Sequence, residues 1–183
     1  MVPRPHGRGR TGPETGVARV AESGYVGGAG AAGAVRIRRA TGRDAEAVTE
    51  VFLASRAAAM PWLPRIHGDE DTRAWITHVV LPTSTAVWVA EDAGGEVLGF
   101  AVLAGGDELD QLYLRPDSLR RGIGSRLLAE VRGAVDGSIG LYVFRRNAAA
   151  RAFYERHGFT AVAFDDGGRN EENEPDVFYR WTP

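Results

Sequence analysis

The sequence predicts a mixed α/β (α+β) domain, one central mixed sheet with helices on both faces, in the order βααβββαβαββ. Three observations carry this. Strand-like apolar runs alternate, late in the chain, with stretches whose apolar residues recur at helical spacing. Asp92-Ala93-Gly94-Gly95 is a hairpin signal between two strand-like runs. Arg120-Arg121-Gly122-Ile123-Gly124-Ser125 stands between a strand and an apolar-faced helix, the layout of a layered fold with a helix packed on a sheet.

Residues 1–34 are rich in Gly, Arg, Pro and Thr and have few large apolar side chains. Such a segment cannot bury enough surface to offset its ordering entropy, so it is expected to be a disordered tail. The folded domain is expected over 35–183. Val35-Arg36-Ile37-Arg38 alternates as a half-buried strand does. Thr41 and Asp44 mark a helix start, followed by Ala45, Val48, Val51, Phe52 and Ser55 at helical spacing. Pro61 stops that helix near Met60, because proline disfavours helix in the residue before it. A second amphipathic helix is predicted from Asp69 to Val80, closed by Leu81-Pro82.

Three strands follow, Thr85–Glu91, Glu96–Leu103 and Glu108–Leu114. The next helix presents Ile123, Leu127, Leu128, Val131 and Val135 on one face. A strand over Ile139–Phe144 leads to a helix from Asn147 to His157, with Gly158 at a left-handed stop. Strands at Phe159–Phe164 and Val177–Trp181 flank the polar loop Asp165–Pro175.

Composition removes several kinds of chemistry. The chain of 183 residues has no cysteine, which excludes disulfides, thiolate metal sites and a cysteine nucleophile. Its four histidines, His6, His67, His78 and His157, have no metal-ligand spacing, so no metal is expected. A formal net charge of -2 argues against sequence-independent nucleic-acid binding. No apolar run is long enough to span a bilayer, and no secretory signal core is visible. The expectation is a cytoplasmic protein without membrane or nucleic-acid partners. All basic residues other than histidine are arginine, so no internal lysine can be modified.

The chemistry concentrates in two segments. In Arg120–Ser125, small residues let backbone approach an anion, and successive N–H groups at a helix start can form a phosphate-binding nest. Read alone, a G-x-G is more often an ordinary glycine-bearing strand-to-helix turn than a phosphate site. In the second segment, Asn147 is an ordinary N-cap, and Phe153, Tyr154 and Phe159 are ordinary core aromatics.

Together, strand, R-R-G-I-G helix, strand, then N-x-x-A-x-x-F-Y-E-x-x-G-F resembles the GCN5-related N-acetyltransferase (GNAT) superfamily over roughly Val35 to Trp181. The resemblance implies that the loop of Arg120, Arg121, Gly122, Ile123, Gly124 and Ser125 holds the pyrophosphate of acetyl-coenzyme A, the co-substrate. It implies that Leu112, Tyr113 and Leu114 pair with the pantetheine arm and polarise the thioester. Asn147 corresponds to a further coenzyme contact, and Tyr154 to the tyrosine that protonates the departing thiolate. Two positions depart from the pattern. Leu119 stands where Gln or Arg is usual, and Tyr142 stands where some relatives carry a glutamate base.

The function so implied is transfer of acetyl to a primary amine, small molecule or peptide, by direct attack in a ternary complex. Asp110, with Glu108 and His67 as alternatives, is the candidate base. A non-catalytic acyl-CoA-binding or sensor domain is the alternative, and either a monomer or a homodimer is compatible. The acidic run Asp165–Asp176 is either a solvated loop or a border of the acceptor pocket. In the second case Glu171, Glu172 and Glu174 would attract a protonated amine. The loop with Trp62 and His67 is the other expected acceptor wall.

Overall fold

A computed structural model of the chain describes residues 35–183; the predicted tail at 1–34 lies outside the described residues. The sheet has seven strands: β1 (Arg36–Arg39), β2 (Ala86–Glu91), β3 (Val97–Ala104), β4 (Glu108–Leu114), β5 (Ile139–Phe144), β6 (Thr160–Asp165) and β7 (Asp176–Trp181). Their spatial order is β1-β2-β3-β4-β5-β7-β6. Every neighbouring pair is antiparallel except β4 and β5, which run parallel. The helices are α1 (Ala45–Ala59), α2 (Asp69–Trp75), α3 (Leu81–Thr83), α4 (Ile123–Gly133) and α5 (Ala148–Arg156). With α2 and α3 joined by the turn at Ile76–Val80 into one helical segment, the predicted element order and fold class are those observed.

Local chemistry explains the boundaries. Asp44 accepts from the Thr41 N–H at 2.7 Å and from its hydroxyl at 3.0 Å, which starts the α1 segment. The same carboxylate takes both terminal nitrogens of Arg38, at 2.8 and 2.9 Å, fastening β1 to the helix entry. In the β2–β3 turn, Asp92 Oδ1 accepts from the N–H groups of Gly94 and Glu96, both at 2.9 Å. Gly158 has φ of +79°, the left-handed stop expected after α5.

One prediction needs correction. The second helix does not close at Leu81-Pro82 but continues through it to Thr83, with a π turn over Ile76–Val80. A proline ring inside an α-helix collides with the carbonyl four residues back. The wider π turn just before Pro82 loosens that spacing, so the helix passes the proline.

Two packed layers sandwich the sheet. One is built from α4 and α5, with Leu127, Leu128, Val131, Phe153, Tyr154 and Phe159 against Leu112, Leu114, Leu141 and Val143. The other is built from α1 and the α2 segment, with Val48, Phe52, Trp75 and Ile76 against Phe100, Tyr113 and Phe144. Val135 lies past the end of α4 yet still packs on the first layer.

Candidate functional site

The site begins with an irregularity in β4. Gln111 pairs with Val102 of β3 and Leu109 with Leu103, leaving Asp110 unopposed in a β-bulge. An extra residue reverses the inward–outward alternation, which is why Leu109 and Leu112, three apart, enter the same core layer. Leu112 and Leu114 face α4 and α5, whereas Tyr113 faces α1. Asp110 is half-buried, and its Oδ2 accepts from Gln111 Nε2 at 3.2 Å.

Beyond the bulge, β4 and β5 part company. Among the described residues their ladder has one register pair, Glu108 with Gly140, supported by the Gly140 N–H on the Asp107 carbonyl at 2.9 Å. From there the two strands diverge toward Leu114 and Phe144. Among the described residues, the half of β4 beyond that pair therefore has no ladder partner in β5.

The helix after β4 points its start at the same region. Gly122, with φ of +76°, is the N-cap of α4, and no side chain caps it. The first intrahelical bond is Arg126 N–H to the Gly122 carbonyl at 3.1 Å. The amides of Gly122, Ile123, Gly124 and Ser125 thus lack acceptors within the helix. Arg120 also has positive φ, 58°, so the turn is tightly coiled. The two glycines serve different ends. A Cβ at Gly122 would meet nothing within 4 Å, whereas one at Gly124 would touch the Phe153 ring at 3.4 Å and Leu114 at 3.5 Å. Gly122 provides a backbone conformation, and Gly124 provides close approach of α4 to its neighbours. Leu119 packs half-buried on the α4–α5 core layer.

Two further sequence-predicted residues lie on α5. Asn147 is the N-cap, its Oδ1 accepting from the Ala150 N–H at 3.0 Å. Tyr154 is fully enclosed, its ring edge-on to Phe153 and Phe159 at 5.2 and 5.4 Å. Its hydroxyl has no hydrogen-bond partner among the described residues. Burial, with the Tyr113 phenol nearby, pushes its pKa well above the usual tyrosine value. The phenol therefore stays protonated, a donor without an acceptor.

On the other face of the sheet, α1, the α1–α2 loop and the β6–β7 loop enclose a cavity of 310 Å³. Phe52, Met60, Leu63 and Trp75 give it an apolar lining, and Arg56, His67, Glu171 and Glu172 give it a polar side. Phe52 connects it to β4, packing edge-on to Tyr113 at 5.0 Å. The acidic loop does border a pocket, but its carboxylates are engaged. Glu172 takes Arg56 Nη2 at 2.8 Å, Glu171 meets His67 Nε2 at 2.7 Å, and Glu174 lies 3.8 Å from Arg146. Glu171, Glu172 and Glu174, the residues expected to attract a protonated amine, thus each lie beside an arginine or a histidine. Trp62 lies outside this lining, packed on Phe144 and covered by Arg146. Tyr142 packs on Phe178 at 4.8 Å.

Sequence reasoning missed the α1 contribution, Phe52 and Arg56, because both read as ordinary members of a helix facing the core. It also missed the contact of Ser125 with His157, which are 32 residues apart with their side chains 2.9 Å apart.

The architecture is a mixed α/β fold in which a parallel strand pair lies beside the bare start of a glycine-led helix. The family model described as "Acetyltransferase (GNAT) domain" matches residues 83–161, the span from the end of α3 to the start of β6. The peptidyl-lysine N-acetyltransferase YiaC of Escherichia coli K12 is 28% identical over 145 residues, covering 79% of this chain and 95% of that protein. The solution structure of apo YjaB from Escherichia coli superposes with a TM-score of 0.67 at 21% identity, covering 81% of this chain and 97% of that one. PaiA N-acetyltransferase from Thermoplasma acidophilum, solved in complex with coenzyme A, gives 0.61 at 22% identity, covering 82% and 99%. The match to the acetyltransferase domain model covers less than half of the chain, and the solved structures share its fold.

Proposed function

We propose that the protein transfers the acetyl group of acetyl-coenzyme A to a primary amine by direct attack in a ternary complex. Three features carry this reading. They are the single register pair between β4 and β5, the uncapped start of α4, and the buried hydroxyl of Tyr154, which has no hydrogen-bond partner among the described residues. The residues present fit the coenzyme. The amides of Arg121–Ser125, with the positive end of α4, suit a pyrophosphate, and Arg120 and Arg121 add charge. Backbone of Leu112, Tyr113 and Leu114 suits the amides of a pantetheine arm, and Asn147, which caps α5, is the further coenzyme contact in this reading.

Acetyl-coenzyme A supplies a thioester, an acyl group already activated for transfer. The chain's residues do the rest. A β4 amide polarises the thioester carbonyl by donating to its oxygen. Asp110, set out of the ladder by the bulge, takes the amine's proton directly or through water. Tyr154 donates a hydrogen bond to sulfur as negative charge develops there. Its burial favours a strong hydrogen bond over complete proton loss, because ionising an enclosed phenol is costly.

The 310 Å³ cavity is assigned to the acceptor. Because Glu171 and Glu172 are already paired with His67 and Arg56, the acceptor's apolar body contributes more to binding than its charge. Thiol release from acetyl-coenzyme A across a panel of primary amines, with product masses, tests the reading. Amine-dependent release with N-acetylated product is expected, and faster turnover of amines with apolar bodies than of polyamines. Binding of acetyl-coenzyme A without any amine-dependent release would leave a sensor domain instead.

A further inference from the structure

We infer that His157 sets the affinity of the α4 start for phosphate by controlling which way the Ser125 hydroxyl points its hydrogen. The inference rests on the reading that this helix start holds the coenzyme's phosphates. Ser125 is exposed in the first turn of α4, and its Oγ lies 2.9 Å from His157 Nε2. The other ring nitrogen, Nδ1, lies 2.7 Å from the Phe153 carbonyl oxygen. A carbonyl only accepts, so Nδ1 carries a hydrogen in either charge state.

The rest follows from counting hydrogens. In neutral imidazole Nε2 then has only a lone pair, and the Ser125 hydroxyl must donate its single hydrogen to it. The serine oxygen presents lone pairs outward, which a phosphate oxygen repels. When the ring gains a proton, Nε2–H donates to Ser125 Oγ. The serine hydrogen is released to donate to a phosphate oxygen, and the imidazolium adds a positive charge behind it. Phosphate binding and proton uptake by His157 are therefore linked. The ring is held for this role against Phe153, with centroids 4.3 Å apart and planes tilted by 39°, while Arg132 donates to the His157 carbonyl. The charged side chains of α4 are Arg126, Glu130 and Arg132, those of α5 are Arg151, Glu155 and Arg156, and β7 carries Arg180 beside Trp181, with Asp176 at its far end. Arginine and glutamate ordinarily keep their charge across the interval in which imidazole titrates.

The test is calorimetry of coenzyme A binding to the wild-type protein, His157→Gln and Ser125→Ala. It is run in two buffers of different ionisation enthalpy between about pH 6 and pH 8. The coenzyme's own phosphate titrates in the same range, so the quantity read is the difference between wild type and each variant. Wild type should take up more protons than either variant, and its affinity should fall more steeply as pH rises. Ser125→Ala should lose about tenfold in affinity at the acid end and little at the alkaline end. Ser125 is exposed, so this variant keeps the fold, which an unchanged Tm confirms. Equal proton uptake and equal pH slopes in all three proteins would overturn the inference while leaving coenzyme binding intact. No binding by wild type would overturn both the inference and the reading beneath it.

Discussion

Tyr154 combines two properties that a purely structural tyrosine rarely has together, complete enclosure and a hydroxyl without a hydrogen-bond partner among the described residues. An unsatisfied buried hydroxyl costs on the order of 1–3 kcal/mol, so removing it should not weaken the fold. Tyr154→Phe is therefore expected to melt at the same temperature as wild type or above it. Its kcat should fall by roughly 10²–10⁴ if the phenol serves the leaving thiolate, with little change in coenzyme A affinity. Steady-state kinetics beside a thermal melt separates the possibilities; a cooler melt with normal kcat would make Tyr154 a core residue only. The identity of Tyr154 as a candidate was legible from its place after Asn147 in the motif. Its missing hydrogen-bond partner was not, because that depends on side chains from β4 and from beyond α5.

Secondary-structure elements carried most of what the sequence could reveal, and their failures have physical causes. Apolar spacing located every strand and the main helices to within a residue or two, since periodicity directly reflects which face is buried. The β4 bulge was invisible because Glu108–Leu114 reads as an unbroken strand, and the insertion shows only against β3. The passage of the α2 segment through Pro82 was hidden for a similar reason, since the π turn that permits it has no residue signature. The turn into α4 was legible, but the distinct duties of Gly122 and Gly124 came only with their neighbours. Gly122→Ala would force a Cβ into left-handed backbone at a cost of about 1–2 kcal/mol. Denaturant unfolding should show that loss, and coenzyme A should bind more weakly. At the β6–β7 loop, Glu172 is enclosed against Arg56. Glu172→Gln would leave a half-buried guanidinium short of its counter-charge. The amine KM is expected to rise severalfold while that for acetyl-coenzyme A stays constant; parallel changes in both would detach the loop from the acceptor.

The acid limit of the whole molecule is tied to the corner where β1 meets α1. Hydrogen bonds from Arg38, opposed by burial and reinforced by Thr41, hold the Asp44 carboxyl at about 2, below its ordinary 3.8. A carboxyl depressed in the folded state contributes stability that is complete above its unfolded pKa. That contribution is lost as pH falls through the folded value. Asp44→Asn should therefore lower the Tm at neutral pH, and the gap from wild type should close as pH drops from about 4 to about 2. Melting curves across that window check it; a gap independent of pH would mean the ion pair is not the source. Arg38 also bonds Glu91 of β2 at 2.7 Å, so the corner braces the first two strands together.

The single register pair between β4 and β5 has a mechanical consequence. Backbone hydrogen bonding runs continuously from β1 to β4 and again through β5, β7 and β6, but it narrows at Glu108 and Gly140. The two halves of the sheet are like covers joined at one stitch, with the side chains of α4 and α5 as the binding glued beneath. A ligand arm lying along β4 would act as a strand borrowed from outside the chain, closing amides that otherwise face the gap. Hydrogen–deuterium exchange should then slow at Gln111–Leu114 when coenzyme A is added, while the amides of β2 and β3, sealed already on both sides, keep their rates.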